Sequence, residues 1–246
     1  MNKVIIFDLD NTFYDYEHSH LLALRSVFTS QNYFVSYEEF IKEYEKTKHT
    51  VQARLVDNPS RHSKLIYFKD LFNEKIDLKK IHDLEIIYWN VFIKSTEIDK
   101  ESIKLLINRK ESKDFYFLFT NQNTNIQLKK INSWGLNFFD LVITSEEVGF
   151  EKPNKQFFDY ADNYVSERVE KMDSKIYAVG DDYRNDIKFW QNKYNAKSYL
   201  IDNKKLEPSL STTSVTDSTG ESFDIGKEII HSSFSKAIED IFEINN

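Results

Sequence analysis

The sequence contains no cysteine. That excludes disulfides and thiolate metal sites, and leaves carboxylate, carbonyl and imidazole groups as the available metal ligands. No uncharged apolar stretch is long enough for a membrane helix, and the chain opens almost at once on a strand pattern without signal-peptide features. A cytoplasmic protein with no membrane partner is therefore expected. Basic blocks are missing too. Lys and Arg number 33 against 40 Asp and Glu, for a net charge of −7, so the footprint of a nucleic-acid binder is lacking and no nucleic-acid partner is expected. The same balance requires any pocket for a small anion to be locally positive. Glycine occurs five times and proline three times in 246 residues, which makes each one informative about backbone conformation.

What the chain does have is bulk. Phe and Tyr number 20 and 14 within a 40% apolar composition, enough for a sizeable core in one large or two small domains. Val4-Ile5-Ile6-Phe7 reads as a strand buried on both faces, and it runs directly into Asp8-Leu9-Asp10-Asn11-Thr12. Two carboxylates one residue apart at a strand's carboxyl end repel each other and lose solvation, so a cation or proton is needed there.

From Phe13 to Glu97 the pattern is helical. Leu21, Leu24 and Phe28 suggest one apolar face, Leu65, Phe68 and Phe72 another, and Ile81, Leu84, Tyr88 and Val91 a third. Ser36 and Glu39 form a capping box, Asp77 is a candidate N-cap, and Pro59 marks a break. This near-neutral stretch reads as a helical bundle inserted into an α/β domain. Strands then alternate with helices: Phe115–Phe119, Leu141–Ile143, Ile176–Val179 and Ser198–Ile201, with helices at about 100–110, at Ile126–Trp134 (stopped by Gly135), at Gln156–Val165 and at Asn185–Tyr194. That rhythm implies right-handed crossovers and a mostly parallel sheet. The Ser/Thr-rich stretch 207–222 reads as a mobile loop, Glu228–His231 as a last edge strand and Phe234–Phe242 as a closing helix.

Four strand ends carry polar groups: Asp8 and Asp10, Thr120 and Asn121, the turn before Lys152, and Asp181 through Asp186. In a parallel sheet these ends share one edge, where ligands bind. Clustered oxygen donors suit Mg2+, a lysine and a hydroxyl suit phosphoryl oxygens, and a carboxylate beside them is a competent nucleophile.

Phe7-Asp8-Leu9-Asp10-Asn11-Thr12 resembles the first motif of the haloacid dehalogenase superfamily, DxDx(T/V). Phe119-Thr120-Asn121 is similar to its second motif, Ser145 through Pro153 to its lysine motif, and Gly180-Asp181 through Asp186 to its GDxxxxD motif. All four stand in the family's order. The resemblance implies a Rossmann-like α/β core at 1–14 and 98–246 and an α-helical cap at 15–97. It also implies a phosphatase acting on a small phosphorylated metabolite, a nucleotide or sugar phosphate. Asp8 would be the nucleophile and a Mg2+ ligand. Asp10 would be general acid and base, with its main-chain carbonyl on the metal. Leu9, Asp10, Thr120, Asn121 and Lys152 would hold the phosphate, and Lys152 would also neutralise the nucleophile. Asp181 would complete the metal site, Asp186 would orient Lys152 or a metal-bound water, and Asp182 would be a supporting residue with an open role.

Dehalogenases of the superfamily lack a carboxylate where Asp10 stands, which argues against dehalogenation. Asp8 through Asp15 is also similar to the branch containing pyrimidine 5'-nucleotidases. The alternatives are a phosphomutase or phosphotransferase on a sugar phosphate, and a non-catalytic binder of phosphorylated ligands. Phe189, Trp190, Lys193 and Tyr194 depart from the small residues usual after the fourth motif. His18 and His20 read as surface or substrate-contact residues rather than as a second metal site. The aromatic side chains Tyr33, Phe34, Tyr37, Tyr44, Tyr67, Tyr88 and Trp89 read as core packing.

Overall fold

The computed structural model describes residues 2–56, 58–171, 174–202, 209–211, 214–216, 220, 222–224 and 229–243. Strand β1 (Asn2–Phe7) is followed by helices α1 (Tyr16–Thr29), α2 (Tyr37–Arg54), α3 (Lys64–Phe72) and α4 (Leu78–Ser95). Then come α5 (Lys100–Arg109), β2 (Phe115–Thr120), α6 (Thr124–Trp134), β3 (Leu141–Thr144), a short α7 (Ser145–Val148), α8 (Lys155–Lys171) and β4 (Ser174–Gly180). A turn at Tyr183–Ile187 leads into α9 (Lys188–Tyr194) and β5 (Lys197–Ile201). Short strands β6 (Ser209–Ser211), β7 (Ser214–Thr216) and β8 (Ser222–Asp224) precede β9 (Ile229–Ser232) and α10 (Phe234–Ile241).

The main sheet runs β3-β2-β1-β4-β5-β9-β6. Every pairing in it is parallel except that of β6 with β9. The chain winds from β1 through β2 to β3 on one side, then crosses to β4 and β5 on the other. The strand order therefore reverses beside β1, and the crevice for ligands opens at the carboxyl ends of β2, β1 and β4. The unbroken apolar run of β1 has a simple cause. Val4 and Ile6 face a cluster with Phe117, Phe119, Phe158 and Trp190, while Ile5 and Phe7 face the opposite cluster with Tyr116, Leu118 and Tyr177. Both faces are covered, so neither set of alternating side chains can be polar.

The second of these clusters continues without a break into α1–α4. Ser36 accepts the Glu39 N–H at 3.1 Å, Asp77 accepts that of Lys79 at 2.7 Å, and Gly135 closes α6 in the left-handed conformation at φ 70°. Phe34, Tyr44, Tyr67, Tyr88 and Trp89 are buried, as core packing requires, whereas Tyr33 is exposed.

Three expectations change. Leu21 and Leu65 are exposed; α1 buries Ser19, His20, Ala23, Leu24 and Val27, and α3 buries Tyr67, Phe68, Leu71 and Phe72. The α1 face is displaced because its polar members are satisfied internally. Thr96 Oγ1 donates to Ser19 Oγ at 3.0 Å, and His20 Nδ1 lies 2.6 Å from the Tyr88 hydroxyl. Next, β9 is not at the edge among the described residues, because β6 pairs outside it and leaves Ile229 fully buried. Finally, the stretch expected as a loop at 207–222 lies partly outside the described residues, and its described parts include β6 and β7. The bulky residues after the fourth motif find a packing role: Phe189 stacks on Phe158 at 4.6 Å, and buried Trp190 lies 5.5 Å from Phe119.

Candidate active site

At the switch point a cavity of about 210 Å³ is lined by Asp8, Asp10, Asn11, Thr120, Asn121, Lys152, Asp181, Asp182, Asn185 and Asp186. Every site residue expected from the sequence lines it except Leu9. Two larger hollows, of about 510 Å³ beside Trp134 and about 480 Å³ beside Phe189, gather no such set of carboxylates.

The first strand delivers its acids through a tight turn. The Asp8 N–H still donates to Val179 O at 3.0 Å, as a last rung of the β1–β4 ladder. Leu9 is fully buried, and its carbonyl accepts the N–H groups of Thr12 and Phe13 at 3.3 and 3.1 Å. Asn11 takes the left-handed conformation at φ 62°, which asparagine tolerates better than most residues. The turn thus sends the Asp8 and Asp10 side chains to different partners.

Asp8 meets Lys152. The Lys152 ammonium is 5% exposed and uses all three donors: 2.7 Å to Asp8 Oδ1, 2.6 Å to Asp186 Oδ1 and 2.7 Å to the Phe119 carbonyl. Its backbone is clamped by Asn121, whose Oδ1 accepts the Lys152 N–H at 2.7 Å and whose Nδ2 donates to its carbonyl at 2.9 Å. The Asn121 side chain is thereby occupied. Asp186 is held by the Asp182 N–H at 3.0 Å, and the Asp182 side chain caps the following turn by accepting the Asn185 N–H at 2.9 Å. That answers the open question about Asp182: it shapes the turn that carries Asp186. Gly180 makes the close approach possible, because a Cβ there would lie 2.3 Å from the Asp186 Cβ.

Asp8, Asp181 and Asp186 each bring a carboxylate oxygen within 4.8 Å of the others. Lys152 bonds two of these three carboxylates, those of Asp8 and Asp186. Burial is the largest influence on Asp8 and raises its pKa to about 7, with Lys152 opposing and Asp186 and Asp10 adding to the rise. Burial, then Asp186 and Asp8, push Asp181 up to about 9. Burial works against the charge on Lys152, but Asp186 and Asp8 hold its pKa above the ordinary value. The excess of negative charge and the all-oxygen donor set fit a hard divalent cation. The cluster holds the expected Asp8 and Asp181 carboxylates and adds that of Asp186; the Asp10 ligand expected from the sequence is its main-chain carbonyl, not its side chain. His18 is exposed and His20 is tied to Tyr88, so neither joins it.

Asp10 points elsewhere. Its Oδ1 accepts from Lys130 Nζ at 2.6 Å and from the Tyr14 hydroxyl, and its Oδ2 from Gln127 Nε2 at 3.3 Å. Burial would raise its pKa, but Lys130, Tyr14 and Gln127 together hold it below the usual carboxylate value. Gln127 also donates to Thr120 Oγ1 at 2.7 Å, which leaves the threonine's own proton free to be donated. Sequence reasoning did not name Lys130, Gln127 or Tyr14. The available signal was a polar pair three residues apart on α6, flanked by the apolar positions Ile126 and Ile131.

The profile of the haloacid dehalogenase-like hydrolases matches residues 2–192. The ribulose-1,5-bisphosphate 5-phosphatase of Halopiger xanaduensis is 27% identical over 194 residues, covering 76% of this chain and 80% of the relative. A glyceraldehyde 3-phosphate phosphatase of Methanocaldococcus jannaschii is 31% identical over 192 residues, with 76% and 80% covered. The crystal structure of YfnB from Bacillus subtilis bound to magnesium shares the fold, with a TM-score of 0.57 at 23% identity over 84% of this chain and 91% of that one. The chain belongs to the haloacid dehalogenase-like hydrolases.

Proposed function

We propose that the protein is a Mg2+-dependent phosphatase of a small phosphomonoester, working through an aspartyl-phosphate on Asp8. The observation that carries this reading is the pair of unlike carboxylates. Asp8 is held by Lys152 in the acidic cluster, and Asp10 is held two residues away by Lys130 and Tyr14. Two relatives named as phosphatases of small phosphorylated sugars support the substrate class, and a magnesium-bound structure of the same fold supports the metal.

Asp8 Oδ1 accepts from Lys152 at 2.7 Å and Oδ2 only the longer contact from the Thr12 hydroxyl at 3.5 Å, so we assign Oδ2 to the attack on phosphorus. Lys130 and Tyr14 keep Asp10 ionised before substrate binds, so Asp10 takes up the proton of a substrate phosphate monoanion and gives it to the leaving-group oxygen as the new Asp8–phosphorus bond forms and the bond to that oxygen breaks. Asp10 then takes a proton from the water that hydrolyses the acyl phosphate and releases it with the product, returning both groups to their starting state. Lys152 neutralises the transferring group, and the Thr120 hydroxyl and Asn121 N–H hold its oxygens. Mg2+ held by Asp8, Asp181 and the Asp10 carbonyl, with Asp186 beside them, would supply charge stabilisation for the phosphate oxygens. Dehalogenation needs no proton at the leaving group and gives Asp10 no task. In this reading 1–14 and 98–246 are the catalytic core and 15–97 is a cap over it, excluding water and contacting the leaving group.

The test is hydrolysis of p-nitrophenyl phosphate and of a panel of sugar phosphates and nucleotides, with Mg2+ and after its removal. Mg2+-dependent turnover that falls by about 10⁴-fold in Asp8→Asn is expected. Folded protein with no such turnover, or full activity in Asp8→Asn, overturns the reading.

A further inference from the structure

One cation of the helical segment has no anion in hydrogen-bond or ion-pair contact among the described residues. Lys64, the first residue of α3, is 6% exposed, and among the described residues it makes no hydrogen bond or salt bridge. Its ammonium sits instead among three tyrosine rings, 5.8 Å from Tyr16, 5.0 Å from Tyr67 and 5.5 Å from Tyr88. Cation–π contacts of this kind contribute about 0.5–2 kcal/mol, whereas removing an ion from water costs several kcal/mol. The rings do not offset the burial. Accordingly burial, reinforced by Lys48 and Lys130 and only partly opposed by Glu45 and Asp10, pushes the Lys64 pKa down to about 7.

A second unmet group lies in the same aromatic surround. The Tyr44 hydroxyl is buried without a hydrogen-bond partner, and its ring packs edge-on against that of Tyr67 at 6.1 Å. A partnerless donor and a partnerless cation in one dry aromatic setting call for a polar occupant carrying negative charge.

Two links run from this place toward the catalytic cavity. Two residues before Lys64, His62 Nε2 lies 3.0 Å from Glu151, the neighbour of Lys152. On the other side the Tyr16 N–H donates at 3.1 Å to the side chain of Asn11, which lines the cavity. The Tyr16 ring is 5.1 Å from that of Phe92, over which Lys130 sits on its way to Asp10.

We propose that Lys64, with the Tyr44 hydroxyl, receives a second anionic group at the far end of the substrate's leaving group, so that the preferred substrates are phosphomonoesters carrying another phosphate or a carboxylate. The inference rests on the phosphatase reading above and deepens it. The first phosphate lies against Asp8 and Lys152, and the second group supplies the counter-charge that Lys64 lacks. An anion bound there restores the charged form of Lys64 and ties the helical segment to the ligand.

The test uses the full chain with Mg2+. It compares kcat/KM for short α,ω-alkanediol bisphosphates and ω-phosphoalkanoic acids with that for alkyl monophosphates of equal length. The wild type is expected to prefer the doubly anionic substrates by at least about tenfold, and the better of the two series identifies the second group. Lys64→Met abolishes the preference, Lys64→Arg keeps most of it, and Tyr44→Phe lowers it by about fivefold. Absence of a preference in the wild type, or a preference unchanged in the folded Lys64→Met and Tyr44→Phe proteins, overturns the inference. If no phosphate ester is hydrolysed at all, the phosphatase reading fails by itself. The pocket is then judged by calorimetry with butane-1,4-diol bisphosphate and butyl phosphate, where equal affinities in wild type and variants refute it.

Discussion

Lys130, fully sealed from solvent, donates from Nζ to Asp10 Oδ1 at 2.6 Å. The lysine comes from α6 of the core, but the rings surrounding it are Tyr14 and, from α4, Trp89 and Phe92. The proposed acid/base is therefore oriented by a cation whose dry environment the helical segment provides. Lys130→Met leaves a carboxylate with only Tyr14 and Gln127, and breaking such a pair costs about 3 kcal/mol. Urea denaturation is expected to show that loss. Steady-state kinetics should show kcat falling about 10²-fold with little change in KM, and Lys130→Arg should recover part of it. A variant with wild-type kcat would remove Lys130 from the mechanism.

Gly180 is required by proximity rather than by backbone freedom. A methyl group there meets the Asp186 Cβ at 2.3 Å and its carboxylate at 2.6 Å, and Asp186 holds Lys152. Gly180→Ala must push Asp186 aside, at about 1–3 kcal/mol of overpacking. A displacement of roughly 1 Å at Lys152 costs about 10²-fold in kcat/KM. Thermal melting and aryl phosphate turnover report the two effects, and an unperturbed kcat/KM would mean that Lys152 does not depend on Asp186.

The acidic cluster also makes a pH prediction. In the metal-free fold the pKa of Asp181 is raised from 3.8 to about 9 and that of Asp8 to about 7. The folded state therefore binds more protons than the unfolded chain between about pH 4 and 9, and stability falls as pH rises through that window. Mg2+ competes with those protons. Melting temperature without metal is expected to decline from pH 5 to pH 9, and added Mg2+ should stabilise the protein more at pH 8 than at pH 5. A stabilisation by Mg2+ that is independent of pH would place the ion away from these carboxylates.

Trp190, 1% exposed, packs between Phe119 and Phe158 behind the strand that ends in Thr120. Trp190→Ala is expected to cost about 3–5 kcal/mol of stability. Because Phe119 also presents its carbonyl to Lys152, weaker phosphate binding should accompany the loss, seen as a raised KM for aryl phosphate. A substitution that lowers stability and leaves KM alone would confine the residue to packing.

Much of this organisation was legible in the chain. The doubly buried runs of β1, β2 and β4, the helical stretch after Thr12, and the polar strand ends follow from periodicity and from burial on both sheet faces. Local signals such as the Ser36 cap and Gly135 depend on neighbours a few residues away, and they read correctly for that reason. The buried faces of α1 and α3 did not. Leu21 and Leu65 look better suited to a core than His20 or Ser19, and only the partners Tyr88 and Thr96, far off in sequence, make the polar choice cheaper.

The sequence by itself determined that Asp8, Asp10, Thr120, Lys152 and Asp181 would meet at one sheet edge, because parallel strands bring their carboxyl ends together whatever lies between them. Only the tertiary structure decided how the charges divide. Lys152 serves Asp8 and Asp186, Lys130 serves Asp10, and the Lys64 ammonium lies among three tyrosine rings with no ion-paired anion among the described residues. A lysine's partner depends on distances of a few ångströms between segments a hundred residues apart, and no pattern along the chain encodes those distances.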